Sequence, residues 1–140
     1  MNRPVFALSI CLLAAFAAAA DRIAAPAGAE VYFIAPHDGA TLHGPVTVRF
    51  GLKGAGVAPA GVKFDNTGHH HLLVDTDFGE LKIDAPLPAT DKMLHFGKGQ
   101  TETVLNLAPG KHTLQLVFAD YLHTSFDPPL HSKKITITVD

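Results

Sequence analysis

The sequence predicts an all-β protein, an immunoglobulin-like antiparallel sandwich of about seven strands. Three observations carry this. From residue 31 onward apolar residues recur at every second position, as on a half-buried strand. Glycines and prolines, twelve and ten in all, cut the chain into runs of strand length. No stretch carries a helical stripe of useful length.

The first thirty residues stand apart. "MNRPVFALSICLLAAFAAAA" has Arg3 near its start, an apolar stretch from Val5 to Phe16, and Ala18-Ala19-Ala20 as a small-residue cleavage site. Residues 1–20 are therefore expected to be a secretory signal peptide, because the apolar part is too short for a membrane span. Cys11 follows Ile10 rather than a small residue, so no lipid anchor is expected after cleavage. The mature chain is expected in the periplasm or outside the cell. Residues 21–30, rich in alanine with Pro26 and Gly28, read as a flexible lead-in, and residues 31–140 as the domain.

Within the domain, "VYFIAP" reads as the first strand and "HDGATLHGP" as a turn. "PVTVRFGLKG" follows with Val46, Val48, Phe50 and Leu52 on one face and Thr47, Arg49 and Lys53 on the other. "AGVAPAGVKFDNTG" is a long loop leading to the strand "HHHLLVD". The segment from Thr76 to Lys92 is too broken by proline to assign. "TETVLNL", "HTLQLVFADYL" and "KKITITVD" are the remaining strands. The predicted core comprises Val46, Val48, Phe50, Leu72, Val74, Leu107, Leu114, Leu116, Phe118, Ile135, Ile137 and Val139. In "LNLAPGKHTLQL", His112 takes the corner position where sandwiches commonly place a tyrosine that bonds back to the upstream backbone, so His112 is expected to be structural.

Composition excludes several function classes. Cleavage after Ala20 removes the only cysteine, leaving neither a disulfide nor a thiolate ligand, and a blue-copper site needs the latter. Met93 is the only methionine of the mature chain, which argues against a methionine-rich Cu(I) carrier. Loss of Arg3 leaves ten Lys and Arg against thirteen Asp and Glu, a net charge of −3, with no basic stripe for nucleic acid. Ser9, Ser125 and Ser132 lack a nucleophile context, and the carboxylates are scattered singly. "GKGQT" is a turn rather than a phosphate loop, with Gly97 and Gly99 read as positions of positive φ.

Nine histidines remain to be explained. In an immunoglobulin-like sandwich the strand opening at His69 and the strand from His112 are antiparallel neighbours, so the start of one lies beside the end of the other. This brings His69, His70 and His71 close to Asp120 and His123, with His131 and the loop carrying His95 at the same end. His37, His43 and His112 go to the opposite end. Side chains alternate along a strand, so His69 and His71 share a face about 6.6 Å apart while His70 turns the other way with Leu72 and Val74. Two imidazoles so placed can bind one ion if other segments complete its shell, and nitrogen donors suit Cu(II) or Zn(II). The predicted ligands are His69, His71, His123 and His95. His70, Asp120, Glu102 and His131 are expected as outer-shell or alternative ligands.

The strings "VYFIAPHDGATLHGPVTVRFGLKGAGVAPAG", "NTGHHHLLVD", "HFGKGQTE" and "PGKHTLQLVFADYLH" together resemble the exported bacterial domain-of-unknown-function family numbered 4399. The resemblance covers nearly all of Val31 to Asp140. It implies one compact exported domain and carries no activity with it. Function is therefore expected from the site: binding of a divalent transition metal, Cu(II) or Zn(II), by the histidine cluster. The alternatives are a non-catalytic module for an envelope protein or polysaccharide, its histidines charging near about pH 6, and a metal-dependent enzyme.

Overall fold

The computed structural model describes residues 21–140, so the expected signal peptide lies outside the described residues. Among the described residues ten strands are formed: β1 (Glu30–Ala35), β2 (Thr41–Leu42), β3 (Val46–Lys53), β4 (Gly56–Val57), β5 (Thr67–Val74), β6 (Met93–His95), β7 (Glu102–Leu105), β8 (Gly110–Ala119), β9 (Ser125–His131) and β10 (Ile135–Val139). A single 3-10 turn, Phe78–Glu80, is the one helical element among the described residues.

The strands form two sheets, as the alternation predicts. One has the order β1-β3-β7; the other has the order β2-β10-β8-β5-β4, with β6 paired to β5 and β9 paired to β8. The strand β9 is one that the sequence reading lacks; it and β10, the expected last strand, follow one another along the same edge of β8. Strand β3 shows why the layers close: Val46, Val48 and Phe50 are buried while Thr47 and Arg49 between them are exposed. Opposite them in the second sheet stand Leu72 and Val74 of β5, Leu114, Leu116 and Phe118 of β8, and Ile135, Ile137 and Val139 of β10, all in one buried cluster. Of the predicted core only Leu107 is partly buried, packing at the margin of that cluster. At the start of β5, Gly68 lets β5 and β8 close up, since a Cβ there would lie 2.2 Å from the carbonyl oxygen of Ala119.

The segment between β5 and β6 is a strap across the outer face of the larger sheet. Leu87 and Met93 are buried there with Leu73, Val117 and Ala119, and Phe78 and Leu81 pack against them. The predicted core lacks this second cluster, because it places only one face of β5 and β8 inside. Ion pairs of Lys134 with Asp77 and of Arg22 with Asp84 hold the strap at its margins. The lead-in is tied down as well. Ala24 bridges to Asp127, and Arg22 Nη2 reaches the Asp127 carboxylate at 2.9 Å.

Candidate metal centre

Antiparallel pairing of β5 with β8 sets the site. His69 stands opposite Ala119 and His71 opposite Val117 on the outer face, while His70 stands opposite Phe118 on the core face. Pairing of β6 with β5 sets His95 directly beside His71. His123 arrives from the turn between β8 and β9, where it adopts φ 67, a left-handed conformation that costs a non-glycine residue about 1 kcal/mol or more. That turn is built by Asp120, whose carboxylate accepts the N–H groups of Leu122 (2.8 Å) and Thr124 (2.9 Å). The His123 carbonyl in turn accepts the Leu87 N–H at 2.8 Å, so the strap closes against the turn that carries this imidazole.

The four imidazoles of His69, His71, His95 and His123 are mutual neighbours. Ring centroids lie 4.9 Å apart for His69–His71 and His69–His123, 5.1 Å for His69–His95 and His71–His95, 4.8 Å for His95–His123 and 6.1 Å for His71–His123. His69, His95 and His123 offer ligand atoms that all fall within 4.8 Å of one another. The Nε2 atoms of His95 and His123 are 3.1 Å apart, close enough for one to donate its proton to the other.

Burial favours the neutral form of His69, His70, His71 and His95. His69, His70 and His71 have no exposed surface. Burial, reinforced by the neighbouring imidazoles, lowers His69 to about 4 and His71 to about 3 from the usual histidine value; burial alone takes His70 to about 4. Burial followed by the proximity of His123 lowers His95 too. A neutral imidazole is the form that binds a metal. Neither ring nitrogen of His69, His70 or His71 has a hydrogen-bond partner among the described residues. Each orphaned buried group of this kind costs about 1–3 kcal/mol, and folded proteins contain few. For His69 and His71 an ion on the shared face would satisfy a nitrogen of each ring, which is the sense in which the donor set fits a metal.

The remaining residues predicted for the site lie elsewhere. His70 enters the core between Phe50 (5.1 Å) and Phe118 (5.0 Å). Asp120 acts on His123 through the backbone of the turn. Glu102 belongs to the smaller sheet, where its carboxylate meets Arg49 Nε at 3.3 Å. His131 stands opposite Val117 across β8, two strand spacings or about 10 Å from His71. There it packs against Phe78, with ring centroids 4.3 Å apart, and meets the Gln115 amide at 3.3 Å. Gly99 has the expected positive φ of 81, but Gly97 does not share it. His112 bonds to Asp75 Oδ2 and to the Ala108 carbonyl, both at 2.7 Å, in the corner geometry expected of it. The strap escaped sequence reasoning; the alternating apolar pair Val117 and Ala119 on the presumed solvent face of β8 was the signal that something covers it.

The family model described as "Domain of unknown function (DUF4399)" matches residues 48–140, which contain all four clustered histidines. The chain belongs to this family. No curated protein matches the DUF4399 chain. Among solved structures, the endo-beta-1,4-mannanase from Thermotoga petrophila is similar over 80% of this chain, with 19% identity and a TM-score of 0.46. The DUF4399 chain spans 20% of that enzyme's length, and a likeness of this degree transfers nothing of its activity. No helix among the described residues is long and apolar enough to cross a membrane.

Proposed function

We propose that this DUF4399 domain is an exported metal-binding protein that holds one Cu(II) or Zn(II) ion on His69, His71, His95 and His123. The observation that carries the reading is the pair of fully buried, unpartnered imidazoles of His69 and His71 facing a His95–His123 pair whose Nε2 atoms lie 3.1 Å apart. Two nitrogens at that separation subtend about 100° at an ion ~2.0–2.1 Å from each, between the square-planar and tetrahedral values. An all-nitrogen donor set without thiolate selects borderline divalent ions over Cu(I). Four protein ligands also close the shell, which suits binding rather than catalysis; an enzyme would keep one position open, as three of the histidines alone would do. Elemental analysis of protein purified without a histidine tag tests the reading: about one equivalent of Cu or Zn supports it, and a metal-free protein that takes up neither ion on incubation sinks it. Hydrolytic and redox assays on the loaded protein then separate a binding protein from a metal-dependent enzyme.

A second reading, a non-catalytic module for an envelope protein or polysaccharide, is favoured by the apolar loops at the same end. Phe64 is 72% exposed, Leu122 55% and Val62 48%. Retention of the protein on envelope polysaccharide, abolished by Phe64→Ala and indifferent to metal, would put this reading first.

A further inference from the structure

The stretch His95-Phe96-Gly97 sends three consecutive residues to three different places. Phe96 turns into the core against Phe50, with centroids 4.7 Å apart, and its N–H donates to the His70 carbonyl at 3.0 Å. His95 turns out to the other imidazoles. Gly97 lies against the His95 ring: a Cβ on Gly97 would sit 2.3 Å from His95 Cε1 and 2.6 Å from Nε2, the nitrogen that meets His123.

The backbone of Gly97 has little room to retreat. Its carbonyl accepts the Ala60 N–H at 2.8 Å, and the Ala60 methyl would lie 3.3 Å from the same Cβ. Glycine is not required here by backbone conformation, because Gly97 is absent from the positive-φ positions that include Gly99. The missing side chain supplies space for one imidazole. We infer that Gly97 is a positioning residue of the metal centre, whose lack of a Cβ lets the His95 ring reach His69, His71 and His123. The inference rests on reading the cluster as a metal site. In Gly97→Ala the pinned backbone stays and the ring, at the free end of its side chain, turns away and carries Nε2 from His123.

The test compares the tag-free parent, Gly97→Ala, His95→Ala and the double variant by calorimetric titration with Cu(II) and Zn(II). Electron paramagnetic resonance of the Cu(II) forms counts imidazole nitrogens, and thermal unfolding follows the metal-free forms. Gly97→Ala is expected to weaken binding about 10- to 100-fold, as the loss of a ligand's support does, and to remove one nitrogen from the Cu(II) signal. In the double variant it should add nothing to the loss caused by His95→Ala, because the two changes act through one ring. If Gly97→Ala is poorly folded, adding His95→Ala should restore folding by removing the ring it strikes. Parent-like affinity and signal in Gly97→Ala, a further loss in the double variant, or a folding defect that persists without His95 would each overturn the inference while leaving the metal site in place. A parent that binds neither ion overturns both.

Discussion

The two ends of β8 treat histidine in opposite ways. At its start, His112 has both ring nitrogens bonded, one to Asp75 and one to the Ala108 carbonyl, and the Asp75 hydrogen bond leads the interactions that raise its pKa. At its end, about 23 Å away along the strand, His69 and His71 are fully buried with no hydrogen-bond partner for any ring nitrogen among the described residues, and burial lowers their pKa values. His112 is kept for the fold: the charged form gains a carboxylate and the corner gains a cross-link. The cluster costs the fold stability, since several orphaned polar groups at about 1–3 kcal/mol each are not recovered by packing alone. Under the proposed function, metal ligation by imidazoles from three separate segments offsets that cost.

The largest expected effect is on acid stability of the metal-free protein. His69, His70 and His71 have folded pKa values of about 4, 4 and 3, below the ordinary value, so below about pH 6.5 the unfolded chain binds more protons than the native one. Stability should be full near neutrality and fall by several kcal/mol as pH drops toward 4, because each tenfold difference in proton affinity between the folded and unfolded chain is worth about 1.4 kcal/mol. His112 has the opposite sign: its raised pKa gives stability that is full at acid pH and fades as pH rises through its folded value. Urea midpoints measured from pH 7 to pH 4 check this, and a flat profile would mean that the cluster is not buried in the neutral form.

Single substitutions sharpen the contrast between the two ends. His112→Ala should lower stability by about 1–3 kcal/mol by freeing the Ala108 carbonyl and Asp75, with metal stoichiometry unchanged. His70→Leu should act in the other direction, raising metal-free stability by about 1 kcal/mol, because it replaces two unpartnered nitrogens among Phe50 and Phe118 with apolar surface. Denaturant unfolding of both variants reads the signs, and two destabilised proteins would erase the distinction. Smallest is Glu102→Gln. It removes an exposed pair with Arg49 and should change stability by less than about 0.5 kcal/mol, leaving metal affinity untouched by calorimetry.

Much of this arrangement is legible in the sequence, for identifiable reasons. Period-two alternation sends His70 inward with Leu72 and Val74 and leaves His69 and His71 together on the other face. The antiparallel order of the strands then brings the turn with His123 to the start of β5. What alternation does not encode is what lies over a face. The proline-broken strap from Thr76 to Lys92 has no period, yet it turns Leu73, Val117 and Ala119 into a second core. Parity across sheets is equally hidden, so Glu102 falls beside Arg49 rather than near the cluster, and Val117 separates His131 from His71. The left-handed turn at His123 and the bare Cα of Gly97 are matters of side-chain direction, which no spacing rule supplies.

The central claim is tested most directly by titrating Cu(II) and Zn(II) into tag-free parent and His69→Ala/His71→Ala protein near pH 7, with thermal unfolding recorded beside the heats. The parent should bind one equivalent of at least one ion and gain about 3–4 kcal/mol at 100- to 1,000-fold excess over its dissociation constant. The double variant should lose most of that affinity and its thermal shift. Equal and weak binding by both proteins, with no thermal shift in the parent, would contradict the account.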